Sequence, residues 1–192
     1  MSKFFLGVAI SIQSVVALML YHFPTPFFLE KAKLKGIGVN LSGLILASAG
    51  FAPLILGFYT GALVSRCGHK KLLISAIVAE SLLVAVFGLC EYITESDTFF
   101  AMSLGVRIAL GAPIFIHKNI GFMLAAKYIP EKFEFIALFL SIGNNVGTGI
   151  ALSQSIFIYQ AFGETMLAPA LVLMMLDLVM YLPLSLLCLP GS

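Results

Sequence analysis

The stretch Gly61-Ala62-Leu63-Val64-Ser65-Arg66-Cys67-Gly68-His69-Lys70-Lys71 ends one apolar run, 41 to 64, and begins another, 71 to 93. Each run is long enough to cross a bilayer, since a hydrocarbon core of about 30 Å takes about 20 mostly apolar residues. Inside that core every backbone polar group must be bonded within its own segment, so each run reads as a helix. The short basic stretch between them reads as the turn of a membrane hairpin.

Working outward on the same basis gives six spans, 4 to 23, 41 to 64, 71 to 93, 99 to 126, 134 to 159 and 166 to 189. The predicted fold is all-α, with six transmembrane helices in a single bundle, 1 to 192. With 60% hydrophobic and only 10% charged residues, the chain lacks the polar surface that a soluble domain needs. Its connections are short and leave no room for a soluble catalytic domain. The first run follows only Met1, Ser2 and Lys3, like a signal peptide, but no small-x-small cleavage site follows Leu20, so it reads as a retained helix. Cys67, Cys90 and Cys188 form no C-x-x-C pair and suggest neither a metal site nor a disulfide framework.

Loop charges set the predicted orientation. With the N-terminus cytoplasmic, Lys3, Arg66, Lys70, Lys71, Lys127 and Lys132 lie inside, while Lys31, Lys33 and Lys35 lie outside with Glu91, Glu95 and Asp97. The excess of basic residues inside favours both termini in the cytoplasm. A net charge of +2 without a basic stripe gives no reason to expect a nucleic-acid partner.

The six spans divide into two groups of three, 1 to 96 and 97 to 192, as an inverted repeat would. The second helix of each group is rich in glycine: Gly43, Gly50, Gly57 and Gly61 in one, Gly143, Gly147 and Gly149 in the other. Gly57 and Gly61 are four residues apart, and Gly143, Gly147, Ala151 and Ser155 form an i, i+4 row. Such rows let another helix approach closely, either within the bundle or from a partner.

The pattern G-x-x-x-S-R-x-G-H-K-K, carried by Gly61, Ser65, Arg66, Gly68, His69, Lys70 and Lys71, resembles the cytoplasmic loop signature of the major facilitator superfamily. From about Phe27 to Pro190 the order of features is similar to the N-terminal half of vesicular amine transporters and their drug–proton antiporter relatives. Phe27, Phe28, Lys31, Lys33, Lys35 and Gly36 carry this after the first span, Val106 and Arg107 in the fourth, Ala126 to Lys132 after it, and Tyr159 to Gly163 at the end of the fifth. The resemblance implies a six-helix half of a secondary transporter whose loop signature gates it and whose second and fifth helices face the other half. Departures are plain. Ser65 stands where the family has an acid, and Gln13 where amine-binding relatives place one. Ala151, Leu152, Ser155 and Ile156 replace the antiporter glycines and proline, and the C-terminal six helices are absent from the sequence.

Polar residues at depth are the candidates for a solute or proton path. At 1.5 Å per residue, Glu80 lies about 14 Å from the cytoplasmic end of its span, Arg107 about 12 Å and Asp177 about 15 Å from the outer ends of theirs. Gln13, Asn144 and Asn145 reach similar depth. Charges there are expensive and should face the bundle and find partners. On one reading Arg107 pairs with Glu80 and leaves Asp177 to carry a proton; on the other Arg107 is a static pin between helices. Arg107, Gly111, Ile114 and Lys118 share a helix face, a cationic stripe that would favour an anionic solute unless Lys118 snorkels to the interface. His117 reads as an interfacial hydrogen-bonding residue. Phe4, Phe5, Phe99, Phe100, Tyr21, Tyr128 and Tyr181 sit at span ends and read as aromatic belts.

No nucleophile with its base, phosphate loop or metal cluster is visible, so neither an enzyme nor a cofactor is expected. The sequence therefore predicts a half-size transporter for a small solute, coupled to protons. It would work in the bilayer with a second six-helix bundle, a copy of itself or another chain. The alternative is a non-transporting subunit of a larger membrane complex.

Overall fold

The computed structural model describes residues 3–183, all helix and turn, with no strand among them. Five helical stretches are long and apolar enough to cross a membrane: Leu6–Leu34, Val39–Cys67, His69–Tyr92, Ser96–Tyr128 and Pro130–Ala161. They contain the cores of the first five predicted spans, and with a mean hydropathy of +1.07 they mark an integral membrane protein. A shorter apolar helix, Leu167–Val179, opens the sixth predicted span. The remainder of that span, 184 to 189, lies outside the described residues with Cys188.

The first span is two helices, α1 (Lys3–His22) and α2 (Thr25–Leu34), parted at Phe23 and Pro24. The sequence expectation ended the span at 23 and put Phe27 and Phe28 in a loop. Instead Pro26, at the start of α2, has the φ that a first helical turn needs, and its missing N–H costs nothing there. Burial then holds α2 in place. Phe28 stacks on Phe99 at 5.9 Å and packs against Phe87 at 5.3 Å, while Phe27 stacks on Tyr159 at 4.9 Å. Phe99 is fully buried in this cluster, so it belongs to the core and not to an interfacial belt. Lys35 closes the same end of the molecule, donating to the carbonyls of Glu91 and Ile93.

The second span is likewise broken, into α3 (Val39–Ser48) and α4 (Phe51–Cys67). Pro53 has no N–H to offer Ala49, and the Gly50 N–H turns to Ala47 at 2.9 Å, not to Leu46. Two carbonyls, those of Leu46 and Ala49, are thereby freed for tertiary contacts. A single residue, Gly68, joins α4 to α5 (His69–Leu89), with φ of 78° and ψ of 153°. That conformation is essentially reserved for glycine. The glycine of the loop signature thus has a purely steric reason.

The long α6 (Ser96–Tyr128) runs through the middle and touches α1, α3, α4 and α5. Next, α7 (Phe133–Ala161) lies along α1. Its buried stripe is Ile136, Leu140, Gly147, Ala151, Ser155 and Tyr159, an i, i+4 pattern. A Cβ at Gly147 would lie 2.4 Å from the Val15 carbonyl oxygen, and one at Gly143 would lie 3.3 Å from Val15 Cγ2. The small-residue row of α7 is therefore spent inside the molecule. Gly61, with nothing within 4 Å, and the exposed Gly57 stay open on α4. Finally, α8 (Leu167–Leu176) packs on α5, where a Cβ at Gly88 would lie 2.7 Å from Ala170 Cβ. It continues as a π-helical turn, Asp177–Tyr181.

Candidate functional site: a buried acid–histidine network beside a cationic pocket

Arg107 is the largest fully buried side chain and has no carboxylate within reach of its hydrogen bonds. Its Nη1 donates to the Tyr21 carbonyl at 3.1 Å and its Nη2 to the Leu46 carbonyl at 3.0 Å. Both acceptors sit where a helix ends, and the last carbonyls of a helix have no intrahelical partner and carry partial negative charge. The two breaks in the first and second spans thus supply what a counter-ion otherwise would. Rings of Tyr21 and Phe87 lie 5.3 and 5.8 Å from the guanidinium and add a cation–π contribution. The expected pairing of Arg107 with Glu80 does not form. Arg107 instead pins α1, α3 and α6 together.

Glu80 faces another partner. His117 Nδ1 forms a direct hydrogen bond with Glu80 Oε1, with both side chains fully buried. Asp177, at the first residue of the π-helical turn, is also buried; it accepts from Ser81 Oγ at 2.6 Å and offers a carboxylate oxygen within 4.8 Å of atoms of Glu80 and His117. A chain of polar groups, Ser81, Asp177, Glu80 and His117, therefore runs across α8, α5 and α6. The close approach at Gly88 explains its register. From Ala170 to Asp177 and from Gly88 back to Ser81 are equal steps along antiparallel helices, so the contact at one level sets the other. Glu80 Oε2, His117 Nε2 and Asp177 Oδ1 remain buried without a hydrogen-bond partner.

These three residues each offer a ligand atom, all within 4.8 Å of one another. Glu80 Oε2, His117 Nε2 and Asp177 Oδ1 are not engaged in hydrogen bonds, so the cluster has atoms to spare for a metal ion or for a proton passed between the imidazole and the two carboxyl groups.

On the other side of α6 a cavity of about 350 Å³ opens between α1, α4 and α6. Gly111, Ile114 and Lys118 line it, so three members of the expected cationic stripe do share one face. Tyr21, His22, Pro53, Phe115 and Asn119 complete its lining with Leu18 and Gly50. Gly111 lets α3 come in, because a Cβ there would lie 2.0 Å from the Ala49 carbonyl oxygen. Lys118 borders this cavity, and His117 beside it is buried in the bundle, not exposed as an interfacial residue would be.

Of the remaining candidates, Gln13 is buried on α1, and Asn144 accepts from Ser14 at 2.7 Å across the α1–α7 contact. Asn145 is exposed and bonds back to the Ser141 carbonyl at 3.1 Å. Asn144 and Asn145 make these bonds away from Glu80. In the loop signature Ser65 bonds back to Ala62 at 2.9 Å and Arg66 is exposed. The chain matches no protein-family model and no curated protein.

Proposed function

We propose that this chain is a half-size secondary transporter of the facilitator type, similar to the N-terminal half of a vesicular amine or drug–proton antiporter. Both termini face the cytoplasm, and a second six-helix bundle, a copy or another chain, completes it. The observation that carries this reading is the fully buried Glu80–His117–Asp177 network. Ionisable groups inside a membrane bundle are costly and are retained chiefly where they move ions or protons. Asp177 on a π-helical turn fits the same reading, since such turns concentrate at functional sites.

The need for a second bundle is supported by the outward faces of α4 and α7. Phe58 on α4 is 88% exposed, and along α7 the row Ser141, Asn145, Gly149 and Ser153 is small or polar and faces out of the molecule. A helix presenting such a row is better suited to another helix or a wet cavity than to acyl chains. In vesicles holding a pH-sensitive dye, the native chain with its partner bundle should move protons when a solute gradient is imposed, and Asp177→Asn should not. Unchanged coupling in Asp177→Asn overturns the proton path.

One observation favours a second reading. Arg107 is bonded only to main-chain carbonyls, a fixed cross-brace and not a switch. A non-transporting subunit of a larger membrane complex would need no more than that. Assembly state in mild detergent separates the two. A symmetric dimer or a stoichiometric six-helix partner favours transport, and a fixed place among many subunits favours the structural role.

A further inference from the structure

The cavity between α1, α4 and α6 lies at mid-depth. Tyr21, Pro53 and Gly111 on its wall fall near the middle of the spans Leu6–Leu34, Val39–Cys67 and Ser96–Tyr128. Two of those spans are broken at this level, an arrangement that in transporters exposes polar backbone to a solute. Its volume of about 350 Å³ falls at the small end of the range for ligand pockets.

Its charge is one-sided. Lys118 supplies a positive charge to its lining, and His22 supplies an imidazole that can donate a hydrogen bond. No carboxylate lines it, and Lys118 has no carboxylate partner among the described residues. The same lining includes the apolar side chains of Pro53 and Phe115. In a site partly shielded from water an unpaired ammonium is costly, and an incoming anion would relieve that cost more than a neutral solute could.

We propose that this pocket binds a small organic carboxylate, its anionic head against Lys118 and His22 and its apolar body between Pro53 and Phe115. This names the solute class for the transport reading and rests on it for physiological meaning, but binding at equilibrium does not require transport. It runs against the amine that the family resemblance implies.

The test uses the purified full chain in mild detergent with benzoate as probe, followed by saturation-transfer difference NMR. Benzylamine and benzamide serve as the cationic and neutral analogues of the same shape. Saturable benzoate binding is expected, with benzylamine failing to displace it. Lys118→Gln should weaken binding about tenfold, the worth of one charge-assisted hydrogen bond. Gly105→Ala, where an added methyl meets nothing within 4 Å, should leave binding unchanged. Absence of saturable benzoate binding by the folded chain, displacement by benzylamine, or unaltered binding in Lys118→Gln each overturns the site. Benzoate binding without proton-coupled uptake would sink the transport reading and leave the site standing. Coupled uptake without benzoate binding would do the reverse.

Discussion

His117 and Glu80 meet at the interface of α6 and α5 in a hydrogen bond sealed from lipid and water, and each is the other's direct side-chain partner. Removing one member of such a pair strands the other. His117→Ala should therefore destabilise the fold by about 1–3 kcal/mol, the range for leaving a buried hydrogen-bonding partner unsatisfied. Glu80→Gln should cost less because the amide keeps a hydrogen-bonding group of the same shape against His117. The double variant should recover part of the His117→Ala loss. Thermal unfolding of the detergent-solubilised protein, followed by helical circular dichroism, checks the cycle. Strictly additive losses would show that the two residues do not interact.

Arg107 gives a different pattern, because its partners are main-chain carbonyls and cannot be mutated away. Lys keeps the charge but presents a single point donor in place of a planar fork. Arg107→Lys should leave the Tyr21 or the Leu46 carbonyl unsatisfied, at about 1–3 kcal/mol. Arg107→Leu, with both carbonyls orphaned, should cost more. Equal melting temperatures for native and Arg107→Lys protein would rule out the two-carbonyl brace.

Much of this architecture is legible in the sequence, and the errors have physical causes. Span positions follow from hydropathy because the bilayer punishes any other solution. Depth alone also held the signal for the Glu80–His117 pair: counted from the cytoplasmic ends of their predicted spans, both lie about 14 Å in. Arg107 lies far from that level. The pairing with Glu80 came from matching opposite charges instead of matching depths. Backbone carbonyls as Arg107's partners carry no side-chain signature in the sequence; Pro53 and the helix break at Phe23 and Pro24 are what free them. The role of Gly143 and Gly147 was open for a similar reason. A small-residue row says that a helix will approach, but not which helix.

Two glycines of α6 test close packing against a built-in control. A Cβ at Gly111 would collide with the backbone of Ala49, which no side-chain adjustment can relieve, whereas a Cβ at Gly105 meets nothing within 4 Å. Gly111→Ala should be destabilising by about 1–3 kcal/mol or more as overpacking. Gly105→Ala should be neutral or stabilising by up to about 1 kcal/mol, the helix-interior preference for alanine. Both are read by the same melting experiment. A harmless Gly111→Ala would mean that α3 does not press on α6 at this point.

Gly68 allows the backbone part of the loop signature to be tested separately from gating. Its φ of 78° with ψ of 153° is strained for every other residue, so Gly68→Ala should cost about 1–3 kcal/mol through backbone conformation alone. Ser65→Ala, which removes only a bond back to Ala62, should be within about 0.5 kcal/mol of native. If Ser65→Ala abolishes transport while leaving the melting temperature unchanged, the signature acts in gating. If Gly68→Ala melts like the native protein, the one-residue connection is not rigid.

Gly88 links packing to the proton network at a distance. The α5–α8 contact there leaves no room for a methyl group, since its carbon would fall 2.7 Å from Ala170 Cβ and 3.1 Å from Leu167 Cα. Gly88→Ala must push α8 outward, and Asp177, further along the same helix, would draw away from Ser81 and Glu80. If the chain is the proton-coupled transporter proposed above, the expected result is a protein that keeps its helical content but loses coupling much as Asp177→Asn would. Adding Ala170→Gly removes the nearer obstacle and should restore coupling in part, because Leu167 still crowds the site. Recovery of this kind would be hard to explain by a general loss of stability, as the second change itself places a glycine inside a helix at a cost of about 0.5–1 kcal/mol. If the double variant is no better coupled than Gly88→Ala alone, the register of α8 on α5 does not set the position of Asp177.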